Sequence, residues 1–178
     1  WLQVHVEHRT RYESVDVRYR ANESGADEHL EFRSRLQMRL TSAHAFAYSE
    51  IQDSRLTLDD SASTVGTSQV LNTHVLQLHA GLVWKDVGAH ELSFQVEGGR
   101  FSRDFGFRRV ISRSIYRNTT NAFDGVIGKV AGATWSVQAL GFRPVLYTYP
   151  SLDRDPRYAR LRVGGFYATS TRLRAANA

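Results

Sequence analysis

Arginines spaced two residues apart are the side chains in this sequence whose type and spacing most directly suggest chemistry. Arg9 and Arg11 share one side of a stretch in which polar residues alternate with apolar ones, and Arg33, Arg35 and Arg39 share one side of the next. A planar guanidinium binds a carboxylate through two parallel hydrogen bonds. A row of such groups would offer an anionic solute several weak sites. The same spacing fits arginine–glutamate pairing across strands, so both interpretations stay open.

Other kinds of site lack the residues that they need. The sequence has no cysteine and seven histidines, and no pair of histidines joins a carboxylate at a metal-binding spacing. Serine, histidine and aspartate are present without a nucleophile-elbow motif, and there is no glycine-rich phosphate loop. The arginines are dispersed among glutamates and do not form the basic stripe of a nucleic-acid-binding protein. We therefore expect no enzyme activity, no metal and no cofactor.

The elements that carry the arginines are predicted to be β-strands, because apolar residues recur with period two. The clearest alternation covers residues 1–13, 30–41, 75–84 and 91–97, and weaker alternation covers 45–54, 107–116, 122–131, 134–147 and 157–172. The sequence thus predicts an all-β, antiparallel fold of about nine strands.

Length, charge and connections narrow the architecture further. The chain has 178 residues and a net charge of +5, which fits one domain with an anionic partner. No apolar run is long enough for a transmembrane helix. Several strand segments exceed the five or six residues common in soluble sheets, and long connections alternate with short ones. These features favour a transmembrane β-barrel, although a soluble β-sandwich or a lipocalin-like barrel remains open.

Aromatic residues fit both architectures. Those near predicted strand ends or on apolar faces are Trp84, Phe94, Trp135, Tyr147, Tyr149 and Tyr167. A barrel would place them in a belt at the membrane interface. A soluble protein would place them in its core.

Several segments resemble one family of proteins. They include Glu7-His8-Arg9-Thr10-Arg11-Tyr12-Glu13-Ser14, Phe32-Arg33-Ser34-Arg35-Leu36, Gly99-Arg100-Phe101 and Ala122-Phe123-Asp124-Gly125-Val126. Kept in this order over nearly the whole chain, they resemble the alginate export family of bacterial outer-membrane β-barrels. The resemblance adds lumen candidates to those found from alternation, namely Arg55, Arg100, Arg109, Arg113, Arg117 and Asp124.

The resemblance also implies an incomplete barrel. Barrels of that family have about 18 strands, within the range of outer-membrane barrels. Residues 1–178 are therefore expected to be the N-terminal portion of a single barrel domain, since an open sheet leaves two unpaired edges.

The function implied is passive passage of an alginate-like anionic polysaccharide through an arginine-rich lumen in the bacterial outer membrane. Expected partners are the anionic solute, outer-membrane lipid and periplasmic secretion proteins, with no nucleic acid. Two alternatives remain. One is a channel for other small anionic or apolar solutes on the same fold, and the other is a soluble β-sandwich that binds glycans.

Overall fold

The computed structural model of the chain describes residues 1–15, 27–58, 66–88, 92–106, 108, 111–147 and 161–171. Within them, eight antiparallel strands form one sheet in sequence order. The strands are β1 (Leu2–Val15), β2 (Asp27–Thr41), β3 (Ala45–Thr57), β4 (Leu71–Val87), β5 (Leu92–Phe101), β6 (Ala122–Ala131), β7 (Trp135–Val145) and β8 (Val163–Ser170). The predicted all-β, antiparallel fold is confirmed. No helix in the described residues is long and apolar enough to cross a membrane.

One expected strand is absent from the described residues. The described residues of the segment 107–116, which are 108 and 111–116, form only an isolated bridge, from Ile111 to Phe105, so the described sheet has eight strands rather than about nine. Within the described part of the chain, β1 and β8 each pair with one neighbour and the sheet is not closed.

The two faces of the sheet are inverted relative to a soluble protein. On β1, the apolar side chains of Leu2, Val4 and Val6 are 61%, 57% and 69% exposed. On β2, Arg33 and Arg35 are only 4% and 5% exposed. A membrane barrel turns apolar side chains to lipid and polar ones to its lumen. We name the apolar side the outer face and the polar side the inner face.

Strand pairing keeps this division across the sheet. Val4 pairs with Met38 on the outer face, and Arg9 pairs with Arg33 on the inner face. Because side chains alternate along each strand, this register sets the face of every neighbouring residue.

The connections differ at the two ends of the sheet. Residues 42–44, 88–91 and 132–134 join strands at one end, which we name the short-turn end. Longer connections, 16–26, 58–70, 102–121 and 146–162, join them at the long-loop end. The connection 102–121 lies against the inner face of β1–β4, as its hydrogen bonds show, and we name it the inward loop.

Candidate functional site

The inner face of β1 and β2 brings together five of the predicted arginines, Arg9, Arg11, Arg33, Arg35 and Arg39. Glutamates from the same strands pair with four of them. Glu7 accepts from Arg33 at 2.8 Å and lies 3.6 Å from Arg35. Glu31 binds Arg11 and lies 4.0 Å from Arg9. The alternation therefore predicted the face of these arginines correctly, and the expected pairing with glutamate is present.

Arg35 donates to the Thr120 hydroxyl of the inward loop at 2.8 Å, and three more of these arginines bind backbone carbonyls of that loop. Arg9 donates to the carbonyl oxygens of Ile115, Tyr116 and Arg117 at 3.2–3.3 Å. Arg33 donates to the carbonyls of Ile115 and Arg117 at 3.1 and 3.2 Å, and Arg11 donates to that of Tyr116 at 2.8 Å. A guanidinium has five donors and no acceptor, so it can join a carboxylate and several carbonyls at once. We name this arrangement the arginine–carbonyl clamp.

Asn118 is the second anchor of the inward loop. Its side-chain amide is fully buried and donates to the carbonyls of Phe32, Arg55 and Gln69 at 3.1, 3.1 and 2.7 Å. Its side-chain oxygen accepts from Arg9 at 3.3 Å. The asparagine therefore uses its donors and its acceptor to tie the loop to the sheet. Nothing in the alternation pattern marked this residue.

Buried glutamates hold two arginines of the inward loop, Arg103 and Arg113. Arg113 donates to both carboxylate oxygens of Glu50 at 2.6 and 2.7 Å, and Glu50 is fully buried. Arg113 uses Nη2 for both bonds, whereas Arg103 binds the buried Glu97 in a bidentate manner through Nη1 and Nη2. Charge-assisted bidentate pairs are strong and directional. They fix the position of each guanidinium beside the inner face.

Arg39 has a different environment. Its side chain is exposed on the inner face, and its guanidinium lies 5.7 Å from the centre of the Phe46 ring. No carboxylate pairs with it in the described part of the chain. It is therefore an arginine whose charge is available to a solute.

Arg55 lies on the outer face, which corrects its expected place in the lumen. The buried side chains of β3 are Glu50, Gln52 and Ser54, so the next residue points to the opposite side. There, Arg55 donates to the carboxylate of Asp53 at 2.9 Å. The small residues early in β3 differ little in polarity, so the alternation did not show on which face Arg55 lies.

Arg100 and Asp124 also lie on the outer face and not in the lumen. Glu97 and Phe101 are buried on the inner side of β5, which turns Arg100 outward, where it donates to Asp124 at 2.8 Å. The preceding glycines carry no side chain that would reveal this phase. Gly99 has a φ of +127°, and a β-carbon there would lie 2.4 Å from the carbonyl oxygen of Leu78.

The remaining predicted residues belong to the inward loop. Arg117 donates to the hydroxyl of Ser114 at 2.8 Å and to the side chain of Asn121, so it stabilises the loop itself. Arg113 faces Glu50, as described above. Arg109 lies outside the described residues.

The turn that leads into the inward loop is held by Asp104. Its carboxylate accepts from the backbone N–H of Arg113 at 2.6 Å and from Arg108 at 3.0 Å. The backbone hydrogen bond, more than the guanidinium, lowers the pKa of Asp104. The carboxylate is therefore ionised wherever the loop is folded at neutral pH.

The aromatic residues divide between the two faces and the loops. Trp84 pairs with Phe94 and, like Trp135, is partly exposed on the outer face near the short-turn end, as expected of an interfacial belt. Tyr167 instead packs inside, against Phe105. Tyr147, just after β7, packs beside Leu76, Ala122 and Val145, and burial raises its pKa to about 12. Tyr149 lies outside the described residues.

One group of side chains has the composition of a metal site. Ligand atoms of Glu13, His29 and Glu31 all lie within 4.8 Å of one another. However, Arg11 donates to Glu31 and lies 3.1 Å from Glu13. The guanidinium already neutralises these carboxylates, which makes the group an ion-pair network.

Alternation missed three further features of the inner face. Lys85 and Lys129 lie near the short-turn end, and Phe46 and Tyr48 form an aromatic surface beside Arg39. The alternation in β4 and β6 could have placed the lysines on the inner face. Lys85 follows Val83 by two residues, and Lys129 follows Ile127 by two, so each lies on the same side as the residue before it. Period two carries no information on the loop that covers the face.

Comparison with known proteins addresses the chain as a whole. No curated protein and no solved structure matches it. The model of the alginate export family matches residues 1–176, a span that includes all eight strands and the inward loop. The chain, with its inverted all-β sheet, belongs to the alginate export family of bacterial outer-membrane proteins.

Proposed function

We propose that the chain is the N-terminal portion of an outer-membrane channel through which an alginate-like anionic polysaccharide passes passively. The inner face of the sheet forms one wall of the lumen, and the inward loop narrows it. Family membership supports export of a polysaccharide, and the unpaired edges of β1 and β8 among the described strands support further strands that complete the barrel.

The observation that carries the proposal is the distribution of charge on the inner face. The carboxylates Glu7, Glu31, Glu50 and Glu97 are each engaged by arginine, whereas Arg39 is exposed without a carboxylate partner among the described residues. The charge left over for a solute is therefore positive. Conduction needs sites that attract the solute and still release it, and exposed guanidiniums in water meet that requirement.

The alternatives are less well supported. A soluble β-sandwich needs a second sheet over the apolar face, and the described strands form one sheet with that face exposed. A channel for small apolar solutes does not explain the exposed guanidinium. A channel for small anions could have the same inner face, so the experiment must distinguish a small anion from a polymer. No covalent chemistry is part of the proposal.

The test is the reversal potential of the refolded full-length protein in a planar bilayer under a salt gradient, with and without an oligouronate. We expect anion selectivity and a current that the oligouronate blocks and a neutral oligosaccharide of equal length does not. Arg39→Gln should reduce the selectivity, whereas Arg55→Gln, on the outer face, should not. An unselective current that neither oligomer blocks would contradict the proposal.

A further inference from the structure

The inner face near the short-turn end carries three cations that form no ion pair with a carboxylate in the described part of the chain. Between the inward loop and the short turns, the described inner-face residues include Arg39 on β2, Lys85 on β4 and Lys129 on β6. Among the described residues, the carboxylate that lines the adjoining cavity is that of Glu97, and it is paired with Arg103. We name this region the basic vestibule.

The deep end of the basic vestibule is a cavity against the inward loop. Its volume is about 260 Å³, and Arg39, Phe46, Tyr48, His79, Arg103 and Arg113 are among the residues that line it. A smaller cavity of about 150 Å³ shares Val83 and Gln95 with it and extends to the two lysines. The two cavities therefore adjoin, and together they connect Arg39 with the two lysines.

Aromatic rings form one wall of the larger cavity. The ring of His79 lies 6.1 Å from that of Phe46 and 5.4 Å from that of Tyr48, between centres. The guanidinium of Arg39 lies 5.7 Å from the Phe46 ring, so charge and an apolar ring face sit side by side. Gln95 adds an amide whose side chain forms no hydrogen bond within the described chain.

This combination matches the chemistry of an acidic sugar. The C–H face of a pyranose ring is apolar and packs on aromatic rings. Its carboxylate suits the planar fork of an arginine. Its hydroxyl groups suit an amide, which both donates and accepts.

We propose that the basic vestibule is the entry site for the polymer, and that its cavity holds one uronate ring, with the carboxylate on Arg39 and the ring face on Phe46 and Tyr48. The proposal rests on the proposed function. In outer-membrane barrels the short turns face the periplasm, so the vestibule meets the polymer on the side from which it is exported. Cations that are not paired with carboxylates raise the local concentration of a polyanion and its rate of association.

At the deep end of the cavity, the polymer meets the inward loop, and the loop arginines that line the cavity are already paired with carboxylates. The arginines there, Arg103 and Arg113, are already bonded to Glu97 and Glu50. Their attraction for a second carboxylate is weakened. A polymer seated at Arg39 can therefore advance without being held more tightly at the next level.

The test measures block of single channels of the full-length protein by an oligouronate added to one side at a time. Protease cleavage of the long loops assigns the orientation of each channel. We expect the triple substitution Arg39→Gln, Lys85→Gln and Lys129→Gln to lower the association rate from the short-turn side about tenfold or more. The rate from the long-loop side should change much less. Arg55→Gln is the matched control, and the heat-dependent gel mobility of each variant verifies folding.

Two single substitutions separate the effect of charge on the association rate from the effect of direct contacts on the dissociation rate. Arg39→Lys keeps the charge and loses the fork, so the association rate should persist while dissociation becomes faster. Phe46→Ala should speed dissociation without changing the association rate. Equal effects from both sides, or none, would overturn the vestibule while wild-type block still supports the channel. Absence of block in the wild type would overturn both proposals.

Discussion

At the scale of single residues, arginine performs two tasks on the inner face. Arg9, Arg11 and Arg33 donate hydrogen bonds to loop carbonyls and glutamates, whereas Arg39 remains exposed. A guanidinium stays charged in either setting, but its attraction for a solute depends on how many donors remain. A count of arginines in the sequence therefore overstates the charge available to a polysaccharide.

Substitution of Asn118 by aspartate should release the inward loop. The change keeps the size of the side chain but removes the amide that donates to three carbonyls. Each buried carbonyl that loses its donor lowers the free energy of unfolding by about 1–3 kcal/mol, and a buried carboxylate facing those carbonyls lowers it further. We expect higher single-channel conductance and faster proteolysis within residues 102–121.

Asn72→Asp is the matched control for that substitution, because Asn72 is exposed at the same end of the sheet. It should leave conductance and proteolysis unchanged. If Asn118→Asp behaved like this control, the buried amide would not be what holds the loop.

At the scale of elements, the carboxylate of Asp104 bridges the turn near the start of the inward loop. Asp104 bonds the backbone of Arg113 across the turn, which fixes where Arg113 meets Glu50. Since the folded-state pKa of Asp104 is lowered, its contribution to stability is complete above the ordinary aspartate value of about 3.9. That contribution is lost as the pH falls through the folded-state pKa.

Asp104→Asn should therefore destabilise the protein in a pH-dependent way. The gap in unfolding free energy between wild type and variant should be constant near neutral pH. It should shrink as the pH falls below about 4, because the unfolded wild-type chain then binds a proton at Asp104 that the folded protein binds only at lower pH. Urea unfolding of the detergent-folded protein at several pH values measures this gap. A gap that stays constant to pH 3 would show that the carboxylate charge is not involved.

Strands were more predictable from the sequence than the loop. On β1 and β2, strong contrast between apolar residues and arginine or glutamate fixed both the element and its inner face. Where neighbouring residues differ little in polarity, the sequence does not show on which face of the strand a residue lies. Alanine and serine in β3 therefore left the outward position of Arg55 undetected, and glycines in β5 did the same for Arg100. The segment 107–116 shows alternation, but its described residues 111–116 lie against the sheet, where the carbonyl of Ile115 accepts from Arg9 and Arg33. Such non-local bonds leave no period in the sequence.

At the scale of the whole molecule, the sheet has a lipid-facing side and a water-facing side. Val126 is 55% exposed on the outer face, while Gln138 faces inward and pairs with Tyr167 of β8. Arginine on the lipid side costs about 2–4 kcal/mol at the bilayer midplane, whereas lumen substitutions mainly alter selectivity.

Val126→Arg should accordingly lower the unfolding free energy in lipid vesicles by about 2–4 kcal/mol. Gln138→Arg, one strand away, is the control and should change stability little while increasing anion selectivity. Urea titration of vesicle-folded protein measures the first effect and reversal potentials the second. Equal destabilisation by both substitutions would contradict the assignment of the two faces.

The most direct test of the central claim is flux of the polymer itself. Proteoliposomes containing the full-length protein are loaded with a labelled oligouronate and a neutral oligosaccharide of equal length, and the efflux of each is followed. We predict faster efflux of the oligouronate, with the preference reduced by Arg39→Gln and retained by Arg55→Gln. Equal efflux of both oligomers, or retention of both in vesicles that conduct ions, would contradict passage of an anionic polysaccharide through this lumen.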